Sequence, residues 1–214
     1  MTDKHFKYWA FKLSGIIIII FLFQLIINGF TEMFLLNESS WTQPWRFVSA
    51  VFLHGDVAHL FYNLFALVLF GSMLEKTVGS KRFLVVFFIS GILANLFSVN
   101  FYDSSLGASG AIFGVIACLT VIRPGMAVWA FGMPMPLFIA SLLWMGGDLL
   151  GAYAYFAGNP ISNTGNLAHL SGAFVGILFG FYYRLKVKER ERRSNLSITI
   201  PERDMRRWED GYLR

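Results

Sequence analysis

Six stretches of this chain run for 14 to 23 residues with at most one charged side chain each: 13–30, 57–74, 83–101, 109–122, 134–156 and 166–183. A helix needs roughly 20 apolar residues to cross a hydrocarbon core about 30 Å thick, and in lipid each backbone polar group must be bonded within its own segment. The runs therefore predict an all-α membrane protein of six spans. Composition agrees, because 56% hydrophobic and only 14% charged residues are more apolar surface than a water-soluble domain of 214 residues can bury. The first run follows Lys4, Lys7 and Lys12, and no small-residue cleavage site comes after it, so it reads as a span and not as a removed leader.

The net charge of +5 does not point to nucleic acid, because the cations stand at the ends of the apolar runs and form no basic face. With six spans, all but Arg46 of the 18 Lys and Arg residues fall on one side. By the positive-inside rule that side is the cytoplasm, which predicts a multi-pass protein of the cell membrane with both termini cytoplasmic. The boundaries that follow are a cytoplasmic N-terminus at 1–12, a six-helix domain at 13–185 and a charged cytoplasmic tail at 186–214. That tail is expected to continue the last helix briefly and then loosen. In the first outer loop, Met33 to Leu36 and Trp41, Trp45 and Phe47 suit a segment lying partly in the interface, and equally a loop that merely anchors. Neither a metal nor a cofactor is expected: Cys118 is the only cysteine, the four histidines are scattered, and His54 and His59 are five residues apart with no glutamate nearby.

Counting back from the cytoplasmic cations gives a depth for the polar residues on the helices that run inward. Ser109 lies 14 residues before Arg123, His169 lies 15 before Arg184, and Asn63 lies 13 before Lys76. At 1.5 Å per residue these are about 21, 22 and 20 Å. Three polar side chains at one level are costly in lipid and are expected to face a bundle interior or a water-filled cavity. Taken singly, Ser109 reads as a helix N-cap, and His169 and Asn63 as interhelical hydrogen-bond donors. Together they supply a nucleophile, a general base and an oxyanion donor, the minimum set for acyl transfer. Gly172, Gly176 and Gly180 lie on the same helical face as His169, and Gly110 and Gly114 form a second small-residue step after Ser109. Such faces let two helices approach closely enough to join serine to imidazole. The stretch 103–108 must dip below the membrane surface, because the helix after it is too short to span.

These residues resemble the rhomboid family of intramembrane serine proteases. The stretches that carry the resemblance are Trp45-Arg46, His54-x4-His59-x3-Asn63, Glu75-x3-Gly79, Gly107-Ala-Ser109-Gly-Ala-Ile-Phe-Gly114 and Asn166-Leu-Ala-His169-Leu-Ser-Gly172, in order between about residues 41 and 184. The resemblance implies a six-helix rhomboid-like bundle that cleaves single-span or otherwise membrane-anchored protein substrates within the lipid bilayer, near the outer face. It implies Ser109 as nucleophile, His169 as base, and His59, Asn63 and the Ser109 backbone N–H as the oxyanion hole. Gly107, Phe113 and His54 would support the site, Trp45-Arg46 would belong to an interfacial scaffold, and Glu75 would be structural. Many members carry tyrosine where this chain has Phe113, whose ring can still stack on the imidazole. No acid on helix 2, 4 or 6 is placed to orient His169, so the dyad is expected to work without a third ionised member.

Substrate is expected to enter sideways from lipid between helices 5 and 2, with the Gly-, Pro- and Asn-containing loop 157–165 as a mobile cap. Other classes fit less well. Met145-Gly-Gly-Asp148 resembles an aspartyl intramembrane protease motif but lacks a second intramembrane aspartate, and His-Glu-x-x-His is absent. A Gly-x-Ser-x-Gly elbow fails at Ala111, and no inverted repeat suggests a transporter. The alternative that stays within the resemblance is a catalytically silent rhomboid-like membrane-binding protein.

Overall fold

The computed structural model describes residues 6–159, 165–196 and 202–212. Helix α1 (Trp9–Ile26) begins before the expected start at residue 13. The reason is a distant cap, since Glu75 accepts hydrogen bonds from the backbone N–H groups of Lys7, Trp9 and Ala10. It ends at Ile26 because the chain then turns through Gly29 at φ +79° into the short α2 (Phe30–Phe34). The first loop is ordered: β1 (Leu36–Asn37), a 3₁₀ turn (Glu38–Trp41), α3 (Arg46–Ser49) and a second 3₁₀ turn (Ala50–Phe52) follow in turn. Arg46, buried, ties this loop together by donating to the carbonyls of Glu32 and Leu35 and to Gln43 Oε1.

Helix α4 (Val57–Ala66) passes through one π turn (Leu67–Gly71) into α5 (Ser72–Val78), making a continuous rod from Val57 to Val78. After Gly79, α6 (Ser80–Ser98) returns; β2 (Ser104–Ser105) pairs antiparallel with β1, and α7 (Ser109–Ile122) follows. Strands β3 (Ala127–Ala130) and β4 (Met133–Pro136) form a hairpin where no strand was expected. Its two-residue turn, Phe131 at φ +53° and Gly132 at +79°, has the left-handed geometry that matches strand twist. Helix α8 (Leu137–Phe156) and the 31-residue α9 (Asn166–Leu196) complete the bundle, and α10 (Glu202–Tyr212) lies in the tail. The tail is thus more helical than expected: good helix formers extend α9, and Arg206 bonds Glu202 one turn away at 3.2 Å.

The shortest long helix is also the most enclosed. Ala111, Val115, Ala117, Cys118 and Leu119 of α7 are 0–1% exposed, with α6 and α9 packed along its sides. A helix covered all round has no need of an amphipathic pattern, and α7 is apolar on every face. Around it, α1 and α8 turn Ile18, Ile19, Leu142, Leu149 and Leu150 outward, as lipid-facing helices do. Among the described residues, four helices are long and apolar enough to cross a membrane: Trp9–Ile26, Val57–Val78, Ser80–Ser98 and Leu137–Phe156. The fold is that of a helical membrane protein.

Candidate active site

Glycine contact between α7 and α9 sets the site. A Cβ on Gly172 would run into the Gly110 carbonyl, and one on Gly176 into the Gly114 carbonyl. The two backbones therefore touch at successive turns, as the paired small-residue steps predict. Ser109 opens α7 one residue after its N-cap, which is Ala108, so the serine hydroxyl is not spent on capping. His169 stands in the first turn of α9, its own N–H bonded to the Gly165 carbonyl at 3.0 Å.

Opposite them, the first two turns of α4 supply His59 and, one turn later, Asn63. Asp56 Oδ1 accepts from the His59 backbone N–H at 2.8 Å and holds that turn. The Gly55 N–H donates to His59 Nδ1 at 3.5 Å, which leaves Nε2 as the protonated ring nitrogen. That edge faces Gly107, where an added Cβ would lie 2.9 Å from His59 Nε2 and 3.7 Å from Ser109 Oγ. Only glycine fits there: its φ is +128°, and its N–H is pinned to the Ala50 carbonyl at 2.9 Å. Asn63 donates from Nδ2 to the His59 carbonyl at 2.8 Å, keeping one N–H of that amide in reserve, while its buried Oδ1 has no partner among the described residues.

The imidazole of His169 is held on two sides. Phe113 stacks on it with ring centroids 4.4 Å apart and planes 8° from parallel, the stacking expected of this residue. Its Nδ1 lies 2.9 Å from Oδ1 of Asp148 on α8. This corrects the expectation of a base with no acidic partner, which considered only the apolar runs 57–74, 109–122 and 166–183. The missed signal was present: Asp148 is the only Asp, Glu, Lys or Arg between Arg123 and Arg184, and an isolated ionisable residue in an apolar helix marks a functional position.

A cavity of about 720 Å³ collects these groups: Ser109, His169, His59, Asn63, Gly107 and Phe113 all line it. His54 does not. It lies behind His59, edge to face at 5.0 Å and 1% exposed. Burial, with His59 beside it, lowers its pKa from 6.5 to about 4, so the ring stays neutral. Phe70, from the π turn, meets Trp144 of α8 edge to face at 5.6 Å on the cavity's flank. Of the expected cap, residues 160–164 lie outside the described residues.

The rhomboid domain family matches this chain over residues 41–186. Rhomboid protein 1, mitochondrial, of Saccharomyces cerevisiae is 30% identical over 209 residues, covering 88% of this chain and 57% of that protein. Rhomboid protease GlpG of Yersinia pseudotuberculosis is 28% identical over 147 residues, 68% of this chain and 50% of that protein. The chain spans about half the length of the curated relatives it matches. A domain match over most of the chain, with relatives that carry the same family name, makes this protein a member of the rhomboid family.

Proposed function

We propose that this protein is an intramembrane serine endopeptidase that cleaves membrane-anchored substrates through Ser109 and His169. The observation that carries the reading is that a serine free of capping duty and a histidine with one ring nitrogen already bonded open on one cavity, from two helices in backbone contact. The wider arrangement is part of the proposal. The first loop, α1, the Val57–Val78 rod, α6, α7, α8 and the apolar half of α9 form a six-span bundle in the cell membrane. Both termini are cytoplasmic, residues 13–185 make the protease domain and 186–214 the charged tail.

In the reaction, His169 Nε2 takes the proton from Ser109 Oγ as that oxygen bonds to the scissile carbonyl carbon. The carbonyl oxygen gains the negative charge and meets the His59 Nε2–H, an Asn63 Nδ2–H and the Ser109 backbone N–H. Collapse breaks the C–N bond, the leaving amine takes the proton from His169, and the acyl group stays on Ser109. Water then gives a proton to His169 and attacks the ester carbon; collapse breaks the ester C–O bond, Ser109 Oγ takes the proton back from His169, and the new carboxyl end is released. Substrate enters from lipid between α8 and the Val57–Val78 rod, past Phe70 and Trp144, and a helix weakened near its outer end exposes the bond.

The test is cleavage of a single-span substrate by purified protein in detergent or liposomes, with a serine-directed fluorophosphonate as a second readout. Wild type cleaves and is labelled, Ser109→Ala and His169→Ala do neither, and Asn63→Ala slows cleavage by about 10²–10³, the usual cost of one oxyanion donor. Cleavage that survives Ser109→Ala overturns the assignment. A wild type inert towards destabilised substrates and probe alike means a silent membrane-binding member.

A further inference from the structure

We propose that Asp148 is a positioning residue for the base, so that α8 supplies a third member to the Ser109–His169 pair. The inference rests on the protease reading above and adds a residue to it. A carboxylate can only accept a hydrogen bond, so the 2.9 Å contact requires the proton of neutral His169 to sit on Nδ1. That leaves the Nε2 lone pair for Ser109. Asp148 is 7% exposed and His169 9%, so water competes poorly for either group. Phe113 fixes the plane of the ring by stacking but has no hydroxyl with which to fix its rotation within that plane. Asp148 supplies the missing constraint.

The local sequence of α8 is built for this approach. One turn beyond Asp148, a Cβ on Gly151 would run into the side chain of Asn166, the first residue of α9. Gly151 is the glycine this approach needs, since an added Cβ at Gly146 or Gly147 would meet nothing within 4 Å, while Leu142, Leu149 and Leu150 turn outward. The helix is further tied to α7 by the Thr120–Ser141 hydroxyl pair at 2.6 Å. Because Asp148 and His169 stand on different helices, the base is set only while α8 is docked on α9.

The experiment compares Asp148→Asn, Asp148→Ala and Asp148→Glu in the full chain, with Leu149→Ala on the exposed face of α8 as control. Turnover and fluorophosphonate labelling should fall by about 10–10²-fold in Asp148→Asn and Asp148→Ala, part of the 10²–10⁴ that a positioned general base contributes. KM should stay unchanged, Asp148→Glu should recover part of the loss, and Leu149→Ala should match wild type. Side-chain ¹⁵N NMR of His169 in wild type reads the tautomer directly and needs no variant to fold: the expected signature is a protonated Nδ1 and a bare Nε2. Folded Asp148 variants with wild-type turnover and labelling, or an Nε2–H tautomer in wild type, overturn the proposal. A wild type that neither cleaves nor labels defeats the protease reading itself, which is a different result from an active enzyme indifferent to Asp148.

Discussion

Glu75 is a buried carboxylate with no cation paired to it among the described residues, and its hydrogen-bond partners explain why it is tolerated. It is 1% exposed and accepts from three backbone N–H groups at the start of α1, at 3.1 to 3.2 Å, and from Ser80 Oγ at 2.6 Å. The positive end of a helix takes the place of a counter-ion. Glu75→Ala would orphan those donors together and is expected to cost about 3 kcal/mol or more, read as a lowered Tm in detergent. Glu75→Gln, which keeps an acceptor, should cost less. His54 makes a second residue-scale prediction. Its folded pKa of about 4 lies below the unfolded value of 6.5, so between those values the unfolded chain binds a proton that the folded chain refuses. Its contribution to stability is complete above about pH 6.5 and is lost as pH falls towards 4. Thermal scans from pH 7 to 4.5 should show a steeper loss in wild type than in His54→Gln; equal slopes would remove His54 as the cause.

At the scale of elements, the α7–α9 contact is the one on which the site depends most. Gly172 faces the Gly110 carbonyl, a backbone atom that cannot swing aside, so Gly172→Ala must push the helices apart. Overpacking of this kind costs about 1–3 kcal/mol. Ser109 should also draw away from His169, so labelling by the fluorophosphonate should fall by more than the loss of Tm explains. The glycine stripes were readable in the sequence because close approach leaves one kind of signature, small residues at helical spacing. Asn63, Ser109 and His169 were readable because polar groups in apolar runs stand out at a common depth. Asp148 stood out equally, but its helix runs the other way, and the count back from the cations that end the other three helices never reached it. The β3–β4 hairpin was hidden for another reason: its left-handed turn begins at Phe131, not at the Asn or Asp that usually announces one. The early start of α1 was not legible because its cap comes from Glu75, a residue remote in the chain.

For the whole molecule, the positions of its cations bear on which way the bundle faces. Lys12 lies over Trp9 at the start of α1, Lys76 over Phe6, and Arg82 over Tyr183 of α9, so the first turn of α1, the α5–α6 junction and the middle of α9 share one end. Arg123 follows the C-terminal end of α7, a helix that runs the same way as α9 beside it, as the successive Gly110–Gly172 and Gly114–Gly176 contacts require. The cavity residues open the opposite ends of α4, α7 and α9. If the cation-rich end is cytoplasmic, the site opens towards the outer face. A cysteine at exposed Asn159, just past the far end of α8, should then react with an impermeant maleimide in intact cells. One at exposed Lys188 should react only after permeabilisation. The native Cys118 is fully buried and should contribute little background. Labelling of Lys188→Cys without permeabilisation, with Asn159→Cys protected, would invert the bundle and place the cavity on the cytoplasmic side, where substrates would have to present their cleavage sites.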